Sequence, residues 1–362
     1  MDIEEQQFLI TRNTEEIITV DELRELLTTS SRPRGYWGFE CSGMMHLGMG
    51  LVCGRKIKDL VESGFDFTIF LADWHSLINN KLGGDMKKIK LCGQYFKECF
   101  TSIGLDPQKV RYIWASDLAG EIDYWEKVIR IAKGATVNRI LRALPIMGRS
   151  LSEVDVETAA MIYPCMQAAD IFQMNLDLAC AGIDQRKAHM LARETAEKMK
   201  WKKPVCLHTP LLTGLTGSTE APRGEFDEDK NTSIRIGSKM SKSIPGSSIL
   251  IHDPPEQIYH KIRNAFCPPK VTRANPIMEI VKYIILPERK IIKISRPQKY
   301  GGEVTFDDYN SLESEYAKGA VHPLDLKNGV AEGLTDILEP VREHFRRNPR
   351  LLEEMNEIEV TR

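Results

Sequence analysis

Two lysines three residues apart, Lys239 and Lys242, lie in the stretch "GSKMSKS" (237–243), with Ser241 and Ser243 beside them. Compact ammonium charges and hydroxyl donors on one short loop suit a clamp for a polyphosphate. An isolated lysine pair is also a common feature of solvated loops, and this stretch alone does not separate the two readings. A second group of residues lies in "GFECSGMMHLGMG" (38–50), which runs strand, glycine turn, helix start. A helix amino terminus presents unpaired N–H groups and partial positive charge to an anion. Gly43, Gly48 and Gly50 permit close backbone approach, and His46 can donate to a phosphate oxygen. A structural hydrogen bond for His46 and a packing role for the glycines are the competing explanations.

A third group lies in "MIYPCMQAADIFQM" (161–174). Tyr163, Gln167 and Asp170 fall at i, i+4 and i+7, which puts them on one face of a helix most of whose circumference is apolar. Pro164 is expected in the first turn of that helix. A buried carboxylate without a partner is costly, so the stripe must meet a polar ligand or an internal network. "AGIDQRKAHM" (181–190) supplies Gln185 at a strand end, with Arg186 and Lys187 at the rim. Tyr36 and Tyr163, taken singly, also fit as core aromatics. His75, in "LADWH", lies at another strand end and is a weaker candidate for the same pocket.

These residues need a scaffold that brings several strand ends together. Apolar runs at 36–40, 66–73, 110–116 and 177–182 read as strands, alternating with helices at 46–64, 85–103, 121–144, 153–173 and from Gln185. That alternation predicts an α/β chain with a Rossmann-like parallel sheet, which binds ligands beyond the carboxyl ends of its strands. The segment 213–238 is rich in Gly, Pro, Ser and charge and is expected to be a mobile loop. Beyond it the pattern turns mainly α-helical, with helices near 254–266, 274–285, 308–318 and 323–346. The expected division is a catalytic unit over 1–253, including the lysine loop, and a helical C-terminal domain over 254–362.

Composition narrows the class. Forty-nine basic residues against 51 acidic ones leave a formal net charge of −2 over 362 residues, which argues against coating nucleic acid by bulk charge. "KMKWKK" (198–203) and "RRNPR" (346–350) remain as local basic patches. The eight cysteines form no C-x-x-C pair, and no metal-ligand spacing is visible, so reduced thiols in a cytoplasmic setting are expected. The start "MDIEEQQF" has no apolar core of the kind a secretory signal needs. No apolar run approaches the roughly 20 residues that span a bilayer, so no membrane partner is expected.

Taken in order, "HLGM", "YPCMQAAD" and "KMSKS" resemble the signatures of the class I aminoacyl-tRNA synthetases. Together with "GFECSG", "DQRKAHMLARE", "NPIMEIVKY" and "HPLDLKNGVAE" they resemble the tyrosyl-tRNA synthetases of archaeal and eukaryotic type, over roughly 34–345. The resemblance implies ATP as substrate, accompanied by Mg2+ and without a protein-held metal. Its other implied partners are L-tyrosine, tRNA(Tyr) and a second copy of the chain in a homodimer. His46, Lys239 and Lys242 become catalytic candidates, and Gly48, Met240, Ser241 and Ser243 ATP-binding ones. Asp170 would accept from the substrate phenol and Tyr36 donate back to it, while Tyr163, Gln167 and Gln185 would hold the α-amino end. A site built around a hydroxyl rejects the analogue that lacks it, a rule this enzyme family itself illustrates. For tRNA, the resemblance points to Tyr300, His322 and Asp325 at the anticodon and to Arg142 and Arg186 at the first acceptor pair; Asp325 as a helix cap is the plainer alternative.

Two departures stand out. Met49 stands where the family's HIGH signature has its final histidine, and a thioether cannot donate to phosphate. A charged insertion also precedes the lysine loop, at about 217–236. The sister enzyme for tryptophan is a close alternative, since an indole N–H can also donate to Asp170. A non-catalytic RNA-binding protein derived from a synthetase is the alternative from another class.

Overall fold

The computed structural model describes residues 1–150, 155–217, 225–241, 244 and 246–358. Its central sheet has six strands: β1 (Glu16–Ile18), β2 (Arg34–Phe39), β3 (Asp66–Leu71), β4 (Val110–Trp114), β5 (Leu178–Gly182) and β6 (Val205–Thr209). The spatial order is β1-β6-β5-β2-β3-β4. All neighbours are parallel except β1, which runs antiparallel to β6 at one edge. From β2 the chain winds outward through β3 to β4, then returns to lay β5 on the other flank of β2. The crevice between the ends of β2 and β5 is therefore the switch point where a ligand is expected.

Strand β3 is buried at five of its six positions, as a strand covered by helices on both faces must be. The sequence-predicted strands lie within two residues of the observed ones. Strands β1 and β6 went unpredicted. Strand β1 has only three residues, and β6 follows Pro204 in a stretch without alternation.

Three expectations are corrected. Pro164 does not sit in a first turn: the helix begins at Thr158, and the proline is in its interior. Its missing N–H removes one intrahelical bond midway along the helix. The segment 213–238 is not all loop, because Lys230–Gly237 forms a helix capped by the Asp229 side chain on the Thr232 N–H. The C-terminal region also contains an antiparallel pair, β7 (Ile292–Ile294) with β8 (Val304–Phe306), among its helices.

Those helices include Pro255–Asn264, Tyr309–Lys318 and the 25-residue Pro323–Arg347. Their apolar faces join the sheet's core: Phe67 and Ile69 belong to the same buried cluster as Ile284, Val330, Leu334 and Phe345. Part of the charge in each basic stretch is paired with carboxylates. Lys202 pairs with Asp177, Lys203 with Glu22, Arg346 with Glu339 and Arg347 with Glu343. Among the described residues no helix is long and apolar enough to cross a membrane.

Candidate active site

A cavity of about 540 Å³ opens at the β2–β5 switch point. Its walls include residues from all three groups of the sequence analysis: Tyr36, His46, Gly48, Tyr163, Gln167, Asp170, Gln185, Lys239, Met240 and Ser241. Asp184 and Thr209 complete the wall at the ends of β5 and β6. Lys242 and Ser243 lie outside the described residues.

The helix Thr158–Gln173 presents Tyr163, Gln167 and Asp170 to this cavity, as their spacing requires. Asp170 is almost completely buried. One carboxylate oxygen accepts from the Tyr124 hydroxyl at 2.9 Å, and the other faces His75 Nε2 at 3.2 Å. Burial opposes the charge on His75, but Asp170, Glu40 and Asp73 outweigh it and raise the imidazole pKa. Burial and then the nearby Asp170 charge push the Tyr36 phenol well up, so Tyr36 stays protonated and able to donate.

At the other end of the stripe, Tyr163 donates to Glu40 Oε1 at 2.7 Å, and Asn79 donates to the same oxygen at 2.8 Å. Lys81 approaches the second Glu40 oxygen at 3.6 Å. Gln167 donates to Gln185 Oε1 at 3.3 Å, and Gln185 donates to the Ile146 carbonyl at 2.8 Å. The Gln167 Oε1 atom is buried without a partner among the described residues. A buried acceptor left over in a cavity wall is a place for a ligand's donor. The cavity thus has a carboxylate and a phenol at one end, and a carboxylate with amide oxygens at the other.

The phosphate-side elements meet at the cavity mouth. His46 Nδ1 accepts the Gly48 N–H at 3.1 Å, so in the neutral ring the proton sits on Nε2. His46 also bridges to Leu250, just past the lysine loop, while Thr213 bridges to Lys239 at the loop's base. The turn Gly48–Cys53 is π-helical rather than α, as is frequent at functional sites. Met49 lines the cavity with its thioether.

Lys239 is held by Asp184 at 2.6 Å, so it must exchange a carboxylate for phosphate to act as proposed. Burial works against charge on Asp184, but Lys239 beside it keeps that carboxyl below its ordinary pKa.

The candidates for tRNA contact are not among the residues that line the cavity. His322 is the N-cap of the Pro323–Arg347 helix, its Nδ1 accepting the Leu324 N–H at 3.2 Å. The cap is therefore His322 and not Asp325, which stands half-exposed in the first turn. Tyr300 lies in the short turn Gln298–Tyr300, between β7 and β8. Arg142 is exposed at the end of the Val137–Leu141 helix, and Arg186 pairs with Glu16 at 2.8 Å.

Sequence reasoning missed Glu40 and Tyr124. Glu40 had a signal, an acidic residue at the end of a strand before a glycine turn. Tyr124 had none, because nothing in its own helix shows that it reaches a carboxylate 46 residues away.

The model of the class I tRNA synthetases (W and Y) matches residues 28–220 and 232–339. A tyrosine–tRNA ligase from Sulfolobus acidocaldarius is 45% identical over 360 residues, covering 99% of both chains. One from Saccharolobus islandicus is 47% identical over 358 residues, covering 99% of this chain and 98% of its own. A tyrosyl-tRNA synthetase from Pyrococcus horikoshii, solved as a complex with L-tyrosine, superposes with a TM-score of 0.90 at 42% identity, covering 99% of this chain and all of its own. With the switch-point cavity, the lysine loop and the His46 turn in one place, these matches make the chain a member of the class I tRNA synthetases, in the group for tryptophan and tyrosine.

Proposed function

We propose that the protein is a tyrosine–tRNA ligase: it joins L-tyrosine to ATP as tyrosyl-adenylate, releases pyrophosphate, and passes the tyrosyl group to the 3′-terminal ribose of tRNA(Tyr). The observation that carries this reading is Asp170 with Tyr36, a buried acceptor and a protonated phenol in the wall of one cavity. A substrate phenol donates to Asp170 and accepts from Tyr36, and both polar groups of the protein are then satisfied. The names of the close relatives, and the tyrosine held by the Pyrococcus enzyme, support the same amino acid.

The α-ammonium group is assigned to Tyr163, Gln167 and Gln185, with Glu40 supplying the opposite charge. That leaves the substrate carboxylate directed toward His46 and the lysine loop. The carboxylate is already ionised at neutral pH and needs no general base. It attacks the α-phosphorus of ATP in line, a C–O–P bond forms, and the bond to pyrophosphate breaks. Catalysis is positioning plus stabilisation of charge on the phosphates. His46 Nε2–H and the amino end of the Gly48–Cys53 turn serve one side, and Lys239, Ser241, Lys242 and Ser243 the other. Mg2+ arrives with ATP and is held through phosphate oxygens and water.

Tyr300, His322 and Asp325 are assigned to the anticodon, where unpaired bases stack on rings, and Arg142 and Arg186 to the acceptor end. A homodimer in the cytoplasm is the expected state. The exposed side chains of Ile122, Ile129 and Val137 offer apolar area for self-contact. The test is amino-acid-dependent ATP–pyrophosphate exchange. Tyrosine is expected to support it; exchange with tryptophan and none with tyrosine would assign the sister activity, and binding of tRNA with no exchange at all would remove the enzyme reading.

A further inference from the structure

The His46 turn and the segment after the lysine loop are fastened together by a buried phenol that touches no part of the cavity. Leu47 N–H donates to the Ile249 carbonyl at 3.0 Å and Ile251 N–H to the Met45 carbonyl at 3.1 Å, so residues 45–47 and 249–251 pair like two short strands. The remaining Met45 N–H donates to the Tyr95 hydroxyl at 3.1 Å. The same hydroxyl lies 3.0 Å from His252 Nε2. Tyr95, on the helix Met86–Ser102, is fully buried. Having accepted from Met45, its oxygen still carries its own proton, for which the neutral His252 ring offers Nε2 as an acceptor.

One hydroxyl therefore joins the residue preceding His46 to the residue following Ile251. Phe345, near the end of the long Pro323–Arg347 helix, closes the third side, with ring centroids 5.9 Å from both Tyr95 and His252. Neither Tyr95 nor His252 lines the cavity.

We propose that Tyr95 and His252 are positioning residues for adenylate formation: they hold the His46 turn and the base of the lysine loop in register on the two sides of the ATP phosphates. This rests on the reading of those two elements as the phosphate-binding parts. Without the bracket the two backbone bonds still pair the elements, but their offset is held less tightly, and small offsets between reacting groups are expensive in rate. The amino-acid end of the cavity, built on the Thr158–Gln173 helix and on β2, does not depend on it.

The experiment compares Tyr95→Phe, His252→Leu and His252→Gln with the parent enzyme by pyrophosphate exchange. Each is run with whichever aromatic amino acid supports exchange in the parent, so a wrong amino acid would overturn the functional reading without touching the bracket. For Tyr95→Phe and His252→Leu, kcat is expected to fall about tenfold and KM for ATP to rise, with KM for the amino acid within about twofold. His252→Gln, whose amide oxygen can accept from Tyr95, is expected to recover most of the loss. The bracket is overturned if His252→Leu leaves kcat and the ATP KM unchanged, if both KM values rise together, or if Gln is no better than Leu. The Leu–Gln contrast decides the matter even if Tyr95→Phe does not fold, because both replace the same ring.

Discussion

Tyr124 donates to Asp170 Oδ1 at 2.9 Å from a helix that contributes no residue to the cavity wall. The bond orients the carboxylate without neutralising it. An ionised carboxylate has about four acceptor positions; Tyr124 uses one, and His75 Nε2 faces the other oxygen at 3.2 Å. Burial and the Asp170 charge both raise the Tyr124 pKa, so the phenol remains a donor throughout the working pH range. Tyr124→Phe removes the donor and leaves the shape. The expected result is a rise of about tenfold in KM for tyrosine, the cost of one hydrogen bond to a charged group, with KM for ATP unchanged. Steady-state exchange kinetics check it; equal changes in both constants would mean a general loosening instead.

Glu40 is the second test of how the pocket is divided. It collects Tyr163 and Asn79 on one oxygen and faces Lys81 with the other. Glu40→Gln keeps an acceptor for the Tyr163 hydroxyl but removes the charge opposite an α-ammonium group. KM for tyrosine is expected to rise about tenfold, and tyramine, which keeps the amine and phenol, should lose affinity in parallel. A variant that binds tyrosine normally would place the amine elsewhere.

The stability of the fold should decline on the acid side of neutrality. His189 is fully buried against His208, with ring nitrogens 3.0 Å apart, and burial followed by the His208 charge drives its pKa well below 6.5. His252 is lowered too, chiefly by burial. Below pH 6.5 the unfolded chain binds protons that the folded chain refuses, so stability falls as pH falls, by about 1.4 kcal/mol per pH unit for each such proton. His75 is raised, so its contribution is complete below 6.5 and is lost as pH climbs through its folded pKa. A second acid loss is expected between about 4.5 and about 2, where Glu16 and Glu22 leave their His208 and Arg193 partners. Urea unfolding at pH 7, 6 and 5.5 measures the first slope, and His189→Gln should reduce it by one proton's worth.

How far the sequence discloses the site follows from what each signal depends on. The Tyr163–Gln167–Asp170 stripe was readable because helical spacing alone puts the three on one face. The lysine loop offered only local chemistry, which did not separate a phosphate clamp from a solvated loop until the other signatures stood beside it. The partners of Asp170 were not, because Tyr124 and His75 come from other elements and meet it only through the packing of helix on helix. The same limit hid Asp184 as the holder of Lys239, a contact across 55 residues. Pro164 misled in the other direction. A proline reads as a first-turn residue, yet the helix runs back to Thr158, with tertiary packing outweighing the bond the proline removes. Strand β1, three residues long, carried too few residues to show a period, and β6 is a run without alternation after Pro204.

The central claim is that Asp170 selects an aromatic hydroxyl. The most direct measurement is ATP–pyrophosphate exchange with tyrosine, phenylalanine and tryptophan, in the parent enzyme and in Asp170→Asn. The account predicts exchange with tyrosine alone in the parent, and in the variant a loss of at least about a hundredfold in kcat/KM for tyrosine with little change for phenylalanine. Parent-like selectivity in the variant, or a parent that prefers tryptophan, would contradict it.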